Sequence, residues 1–189
     1  MKKQTRNPQE TQKKILAAAL EEFAAMGFHG ARVDKIVKSA EVNKRMVYHY
    51  FGDKDGLFKA VMQSELMKIK EVERTEPTGS LFEISKHWLE NITQTKDYYR
   101  LYLSAEALIK NGDIDLDEVH QDTFTYSLEI YSKLLEGRDV DPRYFLLAMM
   151  SINSMPIIFP QTVKFLTGED NDTPRFQDEY IKVFKLLLG

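Results

Sequence analysis

The chain has no cysteine among its 189 residues. That excludes disulfides and thiolate metal sites, and it fits a reducing cytoplasm. Glycine (nine) and proline (six) are scarce, no stretch is low in complexity and no segment repeats. A linker-rich or repeat-built chain is therefore excluded. No apolar run approaches the roughly 18–20 residues that span a bilayer. The opening MKKQTRNPQE has two lysines with no apolar stretch behind them, unlike a secretory signal. Catalytic signatures are missing too: there is no HExxH, no phosphate-cradling Gly loop and no GxSxG. The histidines at 29, 49, 87 and 120 lack metal-ligand spacing. These absences lead to the expectation of a non-enzyme without cofactor, metal or membrane attachment.

What is present is ordinary in bulk and uneven in detail. Hydrophobic residues make up 43% and charged residues 29%, as in a soluble globular protein with a substantial core. The net charge of −3 is partitioned: residues 1–55 hold 11 Lys and Arg against 7 Asp and Glu, a net +4, and the remainder holds 15 against 22, a net −7. A basic N-terminal piece on an acidic body points that piece toward a polyanion. Chance partition of surface charge is the plainer explanation, and the asymmetry carries little by itself.

Nearly every segment has helical periodicity, and no segment alternates with a period of two long enough to demand a strand, so the predicted fold class is all-α. Asn7-Pro8-Gln9-Glu10 reads as a helix start, with Asn7 the cap, Pro8 at the first position and Glu10 reaching back. Gly27 stops that helix in a left-handed conformation, and Phe28 folds back onto it. A second helix is predicted over Val33 to Ala40, burying Val33, Ile36 and Val37. Glu41-Val42-Asn43 makes a turn in which Asn43 caps a third helix, Lys44 to Tyr50. Gly52 breaks it, and Asp53 caps a fourth helix that reaches Arg74. Beyond the turn at residues 76–80, helices are predicted at about 80–95, 97–110, 115–136, 141–167 and 174–188. Pro156 and Pro160 should kink or split the fourth of these.

Residues 33–58, VDKIVKSAEVNKRMVYHYFGDKDGLF, are the most informative stretch. Two short helices joined by a tight turn, after a longer helix, make a helix-turn-helix. Val42, Val47 and Phe51 would face inward beneath Ile36 and Phe23, turning Lys44, Arg45, Met46, Tyr48 and His49 outward. Arg45 can bond two acceptors on a guanine, Lys44 can reach phosphate or guanine, and Met46 can press on a thymine methyl. Arg32 and Lys54 stand at the starts of the second and fourth helices, where phosphate would also meet helix N-terminal amides. The order Gly27-Phe28, Val33 to Val37, Ala40 to Asn43, Val47 to Phe51, Lys54 and Leu57-Phe58 resembles the TetR/AcrR family of transcriptional regulators over about residues 9–60. The resemblance implies that Tyr48 and His49 are a backbone-contacting aromatic pair and that Lys54 binds phosphate. Tyr50 either joins them or packs. The pattern departs from the family at Glu41, where glycine is usual, and at Arg32, which leaves the second helix without its common hydroxyl cap. The tail residues Lys2, Lys3 and Arg6 either follow the DNA or form a solvated tail, and the solvated tail is preferred.

The resemblance divides the chain into a DNA-binding domain at 1–55, a connecting helix at 53–74, and a helical ligand-binding and dimerisation domain at 75–189. It implies a small-molecule pocket in the last of these, for which Trp88, Tyr102, Phe124 and Met155 are the candidates. For any one aromatic or Met stripe residue, a plain core role is the commoner outcome. Glu106 follows Tyr99 and Tyr102 on one helical face and can hold a cation, although a solvent-facing Glu is the plainer reading. His87 and His120 are further polar candidates. The resemblance also implies a homodimer through the last two helices, for which the candidates are Phe159, Phe176, Tyr180, Val183, Phe184 and Leu187. The function expected is a cytoplasmic, ligand-responsive regulator, a repressor that binds palindromic double-stranded DNA as a dimer and is released by a small-molecule inducer. The alternative is a helical small-molecule carrier or enzyme without specific DNA binding.

Overall fold

The computed structural model describes residues 7–75, 79–112, 114–116 and 124–188. Among them there are ten helices and no strand: α1 Pro8–Gly30, α2 Val33–Ser39, α3 Lys44–Phe51, α4 Lys54–Arg74, α5 Leu81–Glu90, α6 Ile92–Asn111, α7 Thr125–Leu134, α8 Pro142–Ile158, α9 Pro160–Thr167 and α10 Pro174–Leu188. They form two compact units. One is Met1–Leu66 with Leu101–Val119, and the other is Met67–Arg100 with His120–Gly189. This differs from a division at residues 55 and 75. Both α4 and α6 are single helices that contribute one half to each unit, and helical periodicity carries no mark of such a handover.

The core of the first unit is aromatic. The Phe23 ring lies 4.9 Å from Phe58 and 6.2 Å from Phe28, and Phe28 lies 5.3 Å from Phe58. Ile36, Val47, Leu57 and Met62 are completely buried. Gly27, with φ 65° and ψ 176°, interrupts α1, and one further turn follows it to Gly30. That extra turn lets Phe28 swing back onto Phe23. Asn7 caps α1 by accepting from the Gln9 amide, whereas Glu10 pairs with Lys14 at 3.6 Å instead of reaching back. Val33 and Val37 are only half-buried, so Ile36 alone anchors α2.

In the second unit, Leu81, Ile84, Tyr131, Leu135, Leu146 and Met149 pack α5, α7 and α8 together. Leu89, Ile157 and Phe184 bring in α10. A capping box between Ser80 and Glu83 starts α5. The predicted 80–95 helix breaks earlier, at Asn91, whose side chain donates to the His87 carbonyl at 2.9 Å. Of the predicted 115–136 helix, Thr125–Leu134 is helical, Asp115 and Leu116 are not, and 117–123 lie outside the described residues.

The two prolines act differently. Pro156 stays inside α8, and Pro160 opens α9 after an 83° bend. Each lacks an amide, so each orphans the carbonyl four residues earlier. The Ile152 carbonyl accepts instead from the Tyr180 hydroxyl at 3.0 Å, and the Pro156 carbonyl from Asn171 Nδ2 at 2.7 Å. Among the described residues, no single helix is long and apolar enough to cross a membrane.

Candidate nucleic-acid interface

Helix α3 is short and fixed at both ends. Asn43 Oδ1 accepts from the Arg45 amide at 2.9 Å, a cap worth about 1 kcal/mol. Gly52, at φ 78°, ends the helix, with its amide bonded to the Tyr48 carbonyl at 3.0 Å. Val47 is fully buried and sets the rotation of the helix, which leaves Lys44, Arg45, Tyr48 and His49 exposed. Eight residues span about 12 Å, close to the width of a B-DNA major groove. Met46 is half-buried and engaged with neighbours, which removes it from the expected outward set. Tyr50 packs, half-buried, with its ring 5.1 Å from His49 and 6.2 Å from Phe51. Asn43 is exposed, but its side-chain oxygen is committed to the cap.

Turn chemistry holds this helix against α2. Glu41 adopts φ 55°, a left-handed conformation that costs a non-glycine residue energy. The reversal therefore has the geometry for which glycine is usual, with a strained side chain in its place. Arg32 provides no side-chain cap for α2. Glu22 of α1 serves there instead: Oε1 accepts from the Arg32 amide at 3.1 Å and lies 4.0 Å from Lys35 Nζ. Ten residues separate Glu22 from Arg32, so no local pattern announces the pairing.

Two of the predicted cations are held by the protein itself. Lys44 Nζ lies 2.7 Å from Asp34 Oδ1. Its hydrogen bond to Asp34 pushes the ammonium pKa upward. Lys54 Nζ donates to the His29 carbonyl at 3.4 Å and sits 4.8 Å from the centre of the Phe28 ring. The junction that places Lys54 depends on Gly56, which sequence reasoning passed over: a Cβ there would collide with the Phe51 carbonyl oxygen. A glycine inside the first helical turn was the available signal. Asp53 caps α4 through the Gly56 amide at 2.8 Å. Arg32 and Arg45 remain exposed beside these anchored cations, while Lys2, Lys3 and Arg6 lie outside the described residues.

Residues 15–61, which include α2, α3 and the first turns of α4, match the family described as bacterial regulatory proteins, tetR family. The helix-turn-helix segment of this chain is thus similar to the TetR family. The HTH-type transcriptional repressor SCO4008 of Streptomyces coelicolor is 39% identical over 64 residues, covering 34% of this chain and 33% of that protein. The likeness to that curated relative is thus confined to about a third of its length. A solved structure of the Streptomyces coelicolor transcriptional regulator SCO4942 is 26% identical, with a TM-score of 0.72 over 94% of this chain and 98% of that one. Bacillus subtilis FadR, solved with stearoyl-CoA, is 16% identical, with a TM-score of 0.65 over 91% of this chain and 96% of that one, and shares the fold.

Outside the helix-turn-helix, the structure sorts the remaining predicted residues differently from the sequence reading. Trp88 and Phe124 line a cavity in the second unit together with Ile69, Glu73, Tyr98, Tyr99, Ser127, Tyr131, Met149, Met150 and Asn153. Tyr102, Glu106 and Met155 do not line it. Tyr102 and Glu106 fall in the first unit and hydrogen-bond each other. The carboxylate in the cavity is Glu73, 5% exposed, which accepts from Ser127 Oγ at 2.7 Å. Burial pushes the Glu73 carboxyl pKa up, against the Ser127 hydrogen bond and the charge of Lys70. Burial, helped by the Glu73 charge, pushes the Tyr99 phenol up to about 12. His87 meets the Val72 carbonyl at 3.0 Å and tethers the end of α4, and His120 lies outside the described residues.

The six candidates for the dimer face also divide. Phe176 and Phe184 are buried, and Tyr180 stacks on Phe176 at 5.2 Å while its hydroxyl serves Ile152. These three belong to the core of their own chain. Phe159, Val183 and Leu187 are exposed, as are Phe165, Leu166 and Leu186.

Proposed function

We propose that this protein is a TetR-family transcriptional regulator acting in the cytoplasm, a repressor that binds palindromic double-stranded DNA as a homodimer and releases it when a small molecule occupies the second unit. The observation that carries this reading is α3. Its cap, glycine stop and buried Val47 turn Arg45, Tyr48, His49 and Lys44 outward together. Lys54 and Arg32, at the starts of α4 and α2, extend the phosphate-facing set. The repressor named SCO4008 supports the direction of regulation by analogy. The cavity around Trp88 supports an effector site.

Exposed apolar side chains support the dimer. Val183, Leu186 and Leu187 stand at i, i+3 and i+4 on α10, with Leu186 83% and Leu187 60% exposed, and Phe165 of α9 is 87% exposed. A twofold axis would set two copies of α3 about 34–36 Å apart, one turn of B-DNA.

The ion pair to Asp34 competes with DNA for Lys44. Asp34→Asn is therefore expected to raise duplex affinity about two- to fivefold, since exposed pairs are weak, and fluorescence anisotropy at fixed salt measures it. The reading as a whole is tested by incubating the protein with fragments of its own genome at near-physiological salt and sequencing what is retained. A short inverted repeat is expected. No retention even at low salt would return weight to a carrier or enzyme.

A further inference from the structure

We propose that the second-unit cavity is a receptor for a small organic amine, whose ammonium group is held between the Glu73 carboxylate and the side-chain oxygen of Asn153. The proposal rests on the effector reading above and names the ligand's chemical class.

The cavity encloses about 30 Å³, room for about two waters or a single ammonium group. Its polar lining is unusual. Glu73 is buried and, among the described residues, accepts from Ser127, which leaves its carboxylate acceptor capacity. Asn153 is 9% exposed, and its Oδ1 is buried without a hydrogen-bond partner. A buried carbonyl oxygen without a donor is costly, and a ligand N–H would relieve it. Two acceptors facing one space call for a donor with more than one N–H, and the anionic one favours a cation. Trp88, Tyr99 and Tyr131 add aromatic rings to the lining, a chemistry that suits a cation. Among the described residues lining the cavity there is no Lys, Arg or His, so nothing there would neutralise a carboxylate or phosphate.

Glu73 is also a wall of a second, more open space of about 300 Å³ lined by Lys70, Arg74, Thr125, Tyr126 and Glu129. A phenyl-bearing amine exceeds 30 Å³ several-fold, so its binding requires Met149 and Met150, the most deformable side chains of the lining, to move aside. The class differs from the acyl thioester named with the Bacillus subtilis structure.

The test titrates the full chain, free of DNA, with 2-phenylethylamine, 2-phenylethanol and 3-phenylpropanoate by calorimetry. Emission from Trp88, the single tryptophan, reports occupancy of the cavity. The amine is expected to bind most tightly and to perturb Trp88. Glu73→Gln, which preserves the Ser127 contact, is expected to weaken the amine about tenfold or more and leave the alcohol unchanged. Asn153→Leu serves as a second variant. The proposal is overturned if no probe binds, if the carboxylate or alcohol binds the wild type as well as the amine, or if Glu73→Gln leaves amine affinity unchanged. Release of a retained operator fragment is read separately. Glu73-dependent amine binding without DNA release sustains the ligand class and removes the effector reading.

Discussion

Replacing Arg45 and Tyr48 together with alanine is expected to lower affinity for the operator about a hundredfold or more while leaving the fold unchanged. A guanidinium bonded to a guanine edge contributes about 1–3 kcal/mol, and a hydroxyl bonded to phosphate adds to it. Neither side chain supports α3. Both are exposed, and the helix is held by the Asn43 cap, by buried Val47 and by the Gly52 stop. Circular dichroism and the melting temperature should match wild type, and the slope of log affinity against log salt should stay nearly unchanged, since neither contact neutralises a phosphate. Anisotropy with operator and with a scrambled duplex separates the two contributions, since a base contact by the arginine would depend on sequence and a phosphate contact by the tyrosine would not. Unchanged operator affinity in a folded double variant would sink the assignment of α3 as the reading helix.

Leu186→Glu combined with Leu187→Glu is expected to convert the proposed dimer to a monomer. Both positions are already open to solvent in the single chain, so the charges cost the isolated fold little. Within an apolar interface the same carboxylates would be buried without partners. Sedimentation equilibrium should give the monomer mass. Operator affinity should fall about a hundredfold or more, because the second half-site is no longer tethered to the first. A dimer that persists with four added charges would place the interface elsewhere. Phe184→Ala is the wrong test of this idea: Phe184 is completely buried against Leu89 and Ile157, so its loss would destabilise the chain itself.

Legibility followed the range of the interactions. Asn43 as a cap, Gly52 as a stop and Asp53 at the head of α4 were all readable. Each is set by a residue and its neighbours within four positions, and so was the outward rotation of Arg45 and Tyr48 around Val47. Met46 failed because a helix face grades into its flank, and half-burial is decided by what lies alongside. Glu22 at the start of α2, and Lys54 lodged against Phe28 and His29, join positions ten and twenty-five residues or so apart. No spacing rule marks such pairs.

In the second unit the same contrast is sharper. The stripe Phe176, Tyr180, Val183, Phe184 and Leu187 was correctly apolar, but periodicity does not say which side of a broad stripe meets its own chain. The proline pair decided part of it. Freed carbonyls at Ile152 and Pro156 needed donors, and Tyr180 and Asn171 supply them, drawing Tyr180 inward. Glu106 and Glu73 are equally plausible carboxylates by sequence. One was assigned to the cavity for its aromatic neighbours on the same helix, and the other lines it, because Glu73 reaches Ser127, fifty-four residues along.

The sequence by itself determined that this chain is helical, that residues 33–58 fold as a helix-turn-helix, and that the turned-out face of α3 is basic and aromatic. Those features depend on caps, stops and periodicity, which act over one or two turns. Only the tertiary structure decided which carboxylate is buried, which lysines are held by the protein and which apolar side chains stay uncovered. Burial and pairing at those positions depend on helices brought together from distant parts of the chain.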